Sequence, residues 1–309
     1  MSGYPTISPA RRLELLEPPQ GPVDAVLDTD TYNEIDDQFA LVYALLSPEK
    51  IRLEAIYAAP FYNERSSGPA DGMERSYEEI LRVMTHLGFD PTGMVYRGST
   101  GYLPSKSTPC ESDAASDLIA RARAPREGPL YVMTIGAITN VASALLMAPD
   151  IADKIVIVWL GGQPEYWETA REFNLAQDVP AAQVVFDCGV PLVHIPCSNV
   201  AEMLRTTLPE MQAHVRGQGA IGDYLYQIYE DFSADHFGRS KVIWDISAPA
   251  WVLSGQWVST VLMPSLVLTD EVTWGPVDTS RHQIRVVRHI DRDAVFTDLF
   301  VKLAKHAEG

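Results

Sequence analysis

Four aspartates, Asp28, Asp30, Asp36 and Asp37, fall within ten positions, after the apolar run 23–27 and before the apolar-periodic run 39–46. A strand that ends in clustered carboxylates and feeds a helix gathers like charges where only a cation or a proton-transfer task repays the repulsion. If the strand persists, Asp28 and Asp30 project to one side, while Asp36 and Asp37 sit where the helix begins, one placed to cap it and the other free to reach inward. A hard cation such as Ca²⁺ takes roughly six to eight oxygens, which carboxylates, carbonyls and water can supply. Zinc is disfavoured, because no His/Cys group has the expected spacing. Bound Ca²⁺ could hold an attacking water and lower its proton affinity, and a touching carboxylate could take the proton. Asp30, at the last strand-like position before the loop, is the candidate base.

These residues need a frame. The apolar periodicity predicts strands over 23–28, 51–59, 95–97, 130–135, 154–160 and 191–195. Helices are predicted between them over 36–46, 71–87, 112–123, 140–146 and 180–186. Strand and helix alternating this often imply an α/β fold, an open and mostly parallel sheet flanked by helices. Residues 257–267 and 282–287 read as strand-rich, a small C-terminal antiparallel addition, and 289–306 as a closing helix. Loops 28–37, 60–65, 136–140 and 161–174 follow strands, so they converge on one crevice at the carboxyl edge of the sheet. Residues 1–20, with five prolines or glycines and mixed charge, read as an N-terminal arm; 21–309 read as a single domain.

Forty-one acidic against 24 basic side chains give a formal charge of -17, which disfavours attachment to a nucleic-acid polymer or an anionic membrane and favours a cation. Cys110, Cys188 and Cys197 are an odd set without paired spacing and fit a reducing compartment. The first 20 residues lack a signal-peptide pattern, and no apolar stretch is long enough to span a bilayer, so a soluble cytoplasmic protein is expected. The segment 101–107 superficially suggests a phosphate loop, but Ser105 replaces the glycine before Lys106 and Pro104 removes an N–H.

Asp28, Asp30, Asp36 and Asp37, followed in order by Ile135-Gly136-Ala137-Ile138-Thr139-Asn140, Leu160-Gly161-Gly162, Glu172-Phe173-Asn174 with Asp178, and Trp244-Asp245, form a series that resembles the inosine-uridine nucleoside hydrolase family. The resemblance spans about residues 23–250 and marks the chain as a divergent member. It implies a nucleoside-hydrolase-like fold and Ca²⁺-dependent cleavage of the N-glycosidic bond of a ribonucleoside or related N-riboside. It implies that Asp30 activates the water, that Asp37 and Asp245 are metal ligands, that Thr139 lends its carbonyl, and that Asp28 supports the ion. Asp36, Glu172 and Asn174 resemble residues that grip sugar hydroxyls. A homodimer or homotetramer acting on a small-molecule riboside is also implied.

Three departures bear on specificity. The family's Pro-Gly turn is replaced by the longer Thr31-Tyr32-Asn33-Glu34, which could bring Tyr32 or an extra carbonyl into the pocket. Ala59-Pro60-Phe61 stands where a Gly-Asn pair is expected, with Asn63 as the available substitute. Tyr166 or Trp167 occupies the place of an asparagine that contacts the sugar's primary hydroxyl. Trp244 stands where some members carry a histidine; an indole cannot protonate a leaving base but can stack on it, so Trp167, Trp244, Tyr226 and Tyr229 are candidates for a base-binding wall. His236 is a candidate general acid on a flap. Two rival functions stay open: a phosphatase of the haloacid-dehalogenase type, which the Asp28-Thr29-Asp30-Thr31 run resembles, and a non-catalytic calcium-dependent riboside-binding protein.

Overall fold

The computed structural model describes residues 4–309. Its strands are β1 (Val23–Thr29), β2 (Ile51–Ala58), β3 (Val95–Arg97), β4 (Leu130–Thr134), β5 (Ile155–Leu160), β6 (Leu192–Ile195), β7 (Arg205–Thr206), β8 (Lys241–Val242), β9 (Val258–Pro264) and β10 (Gln283–Ile290). Eight of them form one sheet in the order β3-β2-β1-β4-β5-β6-β10-β9. The near-continuous apolar runs are explained by burial on both faces. In β1, Ala25 and Leu27 join one core with Met133, Val158 and Ile195, while Val26 joins a second core on the other face with Val132, Ile157 and Trp159.

All neighbours in this sheet run parallel except β9, which is antiparallel to β10. The antiparallel C-terminal addition is therefore the edge strand β9, whereas β10 lies parallel to β6 and extends the main sheet. A separate antiparallel pair, β7 with β8, lies outside it. The closing helix is Arg292–Glu308, capped by the Asp291 carboxylate, which accepts from the Ala294 N–H (3.1 Å).

Within the arm at 1–20, residues 1–3 lie outside the described residues, and Pro9–Leu16 forms a helix that the sequence reading did not anticipate. Ser8 caps it, Pro9 sets its first turn, and Leu15 and Leu16 are buried in the core. No described helix is long and apolar enough to cross a membrane.

The connectivity places the crevice. After β1 the chain turns through the helix Asp37–Leu45 to β2 on one side, then crosses to β4 on the other. Loops leaving β1 and β4 diverge at this reversal, and a cleft opens beyond their carboxyl ends.

Candidate active site

Asp28 is the penultimate residue of β1, and Asp30 the first residue beyond it. Asp28 is buried with both oxygens engaged: Oδ1 accepts from Asn140 Nδ2 (2.7 Å) and Oδ2 from Thr134 Oγ1 (3.2 Å). Asp30 is equally buried, yet neither carboxylate oxygen has a partner among the described residues. Its carbonyl accepts from the Asn33 N–H (2.7 Å), which starts the turn toward the next helix. Gly136 makes room for it, since a Cβ there would stand 3.0 Å from the Asp30 carboxyl carbon.

Asp36 precedes the helix Asp37–Leu45 but makes no side-chain capping bond; its Oδ2 instead accepts from the Trp244 N–H (3.1 Å). Neither aspartate of the pair spends its charge on capping. Asp37 Oδ1 accepts from Thr29 Oγ1 (2.5 Å), while its buried Oδ2 has no partner. Asp245, from the 3-10 turn Trp244–Ile246, completes a buried group in which carboxylate oxygens of Asp36, Asp37 and Asp245 lie within 4.8 Å of one another. This group could hold a divalent cation.

Burial is the first cause throughout. Burial, with Asp37 and then Asp36 nearby, raises the Asp30 carboxyl well above the ordinary range. Burial and Asp36 push Asp37 up to about 8, and burial with Asp36 and Asp37 raises Asp245 well above its usual value. Asp28 is pushed up to about 7 by burial, against the pull of its bonds from Asn140 and Thr134. Carboxylates this close cannot all be ionised in a dry site without a cation. The all-oxygen donor set of Asp36, Asp37 and Asp245, with one orphaned oxygen on Asp37, suits a hard divalent cation.

The cleft above this floor has a volume of about 740 Å³. Of the site residues expected from sequence, Asp36, Asn63, Glu172, Asn174, Trp244 and Asp245 line it, whereas the fully buried Asp28, Asp30, Asp37 and Thr139 are not part of the lining. Glu172 is committed to the backbone: it accepts from Gly162 N (2.7 Å), Asn174 N (3.0 Å) and Leu175 N (3.2 Å), and so fixes the loop. Asn174 donates through Nδ2 to the carbonyls of Ile135 (2.9 Å) and Leu160 (3.1 Å), which leaves its amide oxygen for a ligand. Thr139, buried at the start of the helix Thr139–Met147, donates its hydroxyl to Asp178 Oδ2 (2.6 Å). Asn63 donates to Asn33 Oδ1 (2.9 Å) and accepts from the Arg65 N–H (2.8 Å), tying its loop to the lengthened one after β1.

The other aromatic candidates do not reach the cleft lining. Tyr226 and Tyr229 turn to the core side of the helix Gly219–Asp231; their hydroxyls donate to Glu230 Oε1 and the Thr206 carbonyl (both 2.8 Å). His236 stacks on Tyr229, its Nε2 2.9 Å from the Glu230 carbonyl oxygen. Tyr166 and Trp167 are 61% and 39% exposed, outside the lining. The wall is made instead by Trp244 with Phe232, Phe173 and Gln163, and by Asn33, Glu34 and Arg65 from the longer loops. Tyr32 stays off this lining, stacked near Arg65, whose Cζ is 5.8 Å from the ring centroid. Glu34 pairs with Lys241 Nζ (2.6 Å), and burial next to Asp36 pushes its carboxyl up to about 7. The lengthened Tyr32-Asn33-Glu34 run was the available signal for Asn33 and Glu34; Phe232 and Gln163 depend on loop paths that periodicity does not encode.

The open α/β sheet thus carries a buried carboxylate group at its switch point. The chain belongs to the family described as inosine-uridine preferring nucleoside hydrolase, whose model matches residues 25–297. It is 31% identical over 181 residues to the pyrimidine-specific ribonucleoside hydrolase RihA of Salmonella typhimurium, a match covering 51% of this chain and 55% of that protein. The match thus spans about half the length of such curated relatives. Among solved structures, the fold is shared with an inosine-guanosine nucleoside hydrolase (TM-score 0.72, 17% identity, 92% of this chain and 99% of that one). It is also shared with the purine-preferring ribonucleoside hydrolase from Gardnerella vaginalis (TM-score 0.69, 21% identity, the same coverage).

Proposed function

We propose that this chain hydrolyses the N-glycosidic bond of a ribonucleoside or a related N-riboside, with Ca²⁺ as cofactor and Asp30 as general base. The observation that carries the reading is Asp30 itself, buried with two unpartnered oxygens beside the Asp36, Asp37 and Asp245 group. Asp30, Asp37 and Asp245 would hold the ion, with Asp28 and the Thr139 carbonyl in support. Bound there, Ca²⁺ supplies charge neutralisation and polarisation of the attacking water.

The remaining chemistry belongs to the protein. An Asp30 oxygen takes one proton of the water whose oxygen bonds to the anomeric carbon, while the carbon–nitrogen bond breaks with its electron pair on the base, which takes up a proton from solvent. Asp36 and the amide oxygen of Asn174 accept from sugar hydroxyls and fix the furanose, while Glu172 holds the backbone at Asn174 in place. The Trp244 indole, anchored through its backbone to Asp36, offers a face on which the departing base stacks. The names of the relatives span purine and pyrimidine bases, and the longer 31–34 loop alters the wall that would meet either. A homodimer or homotetramer, and a cytoplasmic setting in which the free Cys110, Cys188 and Cys197 stay reduced, accompany the reading.

The test is a panel of purine, pyrimidine and modified ribonucleosides with calcium-loaded protein, assayed for reducing sugar and free base. Release of both supports the hydrolase. Tight binding without turnover would favour the binding-protein reading, and inorganic phosphate from a phosphomonoester the phosphatase.

A further inference from the structure

A buried guanidinium is costly unless an anion or a full set of acceptors replaces its water. Arg12, on the helix Pro9–Leu16, is only 7% exposed. Its Nη2 donates to the neutral carbonyl of Gly189 (2.8 Å), while its buried Nη1 has no partner among the described residues. Two more nitrogens in the same place share that condition: Nε of Arg281 and Nε2 of His282. The Nη2 of Arg281 is committed to Asp187 Oδ1 (2.6 Å) and the Phe186 carbonyl (2.7 Å), which leaves Nε unused. Burial, with Arg12 and then Arg281 nearby, pushes His282 down to about 4. In a chain of formal charge -17, two guanidiniums and an imidazole meet here with Arg12 Nη1, Arg281 Nε and His282 Nε2 unpartnered among the described residues.

All three line a groove of about 450 Å³, whose other wall includes Pro5, Ile7 and Leu13. Gly189 precedes β6 and His282 precedes β10, and these strands are parallel neighbours. The groove therefore lies at the amino edge of the sheet, opposite the carboxyl-edge cleft. We infer that this groove is a second binding site, which takes the oxyanion head of a small organic phosphate or carboxylate between Arg12, Arg281 and His282 and rests its apolar part on Pro5, Ile7 and Leu13. A guanidinium already shielded from water gains more from such an anion than a surface arginine would.

The experiment is calorimetric titration of the calcium-loaded full chain with sulfate and, separately, benzoate, at constant ionic strength set with chloride. Saturable binding of about one ion per chain is expected, weakened about tenfold or more in both Arg12→Met and His282→Phe. Circular dichroism and a cooperative thermal unfolding transition, retained in each variant, report that the variant is folded. Tighter sulfate binding identifies a phosphate-type ligand, and tighter benzoate binding a carboxylate with an apolar body. No saturable binding of either ion below about 50 mM, or binding unchanged in both folded variants, overturns the inference.

Discussion

Asp28 and Asp30 differ by two positions at the same strand end and are both fully buried, yet one is bonded through both oxygens and the other through neither. The difference lies in the neighbours. Asn140 and Thr134 meet Asp28, whereas other carboxylates surround Asp30. A carboxylate with donors on both oxygens holds β1 to the elements beside it. One packed among carboxylates raises the energy of the cation-free protein, a cost that a bound cation would offset. The same contrast separates Glu172, saturated by three N–H groups, from Asp37, which keeps one oxygen free.

The largest expected effect comes from emptying the cation group. Asp245→Asn should abolish stoichiometric calcium binding and lower turnover by roughly 10³-fold or more. Elemental analysis with steady-state rates checks it, and near-normal turnover without calcium would break the contrast. Next, a 2'-deoxynucleoside should react roughly 10²-fold more slowly than its ribonucleoside in kcat/KM, since Asp36, Asn174 and the ion lose a hydroxyl partner. Equal specificity constants would remove the sugar-gripping assignment.

Stability should then divide the two aspartates by sign. Asp28→Ala strands the Asn140 amide and the Thr134 hydroxyl and should cost about 2 kcal/mol, while Asp30→Asn should leave the calcium-free protein as stable or more so. Denaturant unfolding of both variants after metal stripping measures this. A further effect concerns pH. In the calcium-free protein Asp37 is pushed up to about 8, and Asp30 and Asp245 are raised as well. The folded state then holds protons that the unfolded chain has released, so stability falls as pH rises from about 4 toward 8. Thermal unfolding of stripped protein should show that decline, and saturating calcium should flatten it.

Much of this arrangement was legible in the sequence. The runs that became β1, β2, β4, β5 and β6 are apolar on both faces, so their strand character survives without tertiary information. The carboxylate group was visible because Asp28, Asp30, Asp36 and Asp37 are close in the chain and Asp245 follows an ordered motif series. The helix Pro9–Leu16 was not visible, since it buries only Arg12, Leu15 and Leu16 and its stability comes from docking. Tyr226 and Tyr229 fell on the core side because three- and four-residue spacing fixes which tyrosines share a helix face without saying what that face meets. Partner supply was likewise hidden: Asp28 and Asp30 look alike until Asn140, more than a hundred residues away in sequence, is seen to reach only the first.

The central claim is that Asp30 is the base, and the direct measurement is single-turnover hydrolysis by Asp30→Asn at saturating calcium, with calcium and ribose-analogue affinities measured on the same preparation. The substitution keeps the size of the side chain and one oxygen but removes the proton acceptor, so with ion and analogue still bound the rate should fall by roughly 10² to 10⁴. A calcium-loaded, analogue-binding variant that turns over at nearly the unaltered rate would contradict the account and leave Asp30 a ligand only.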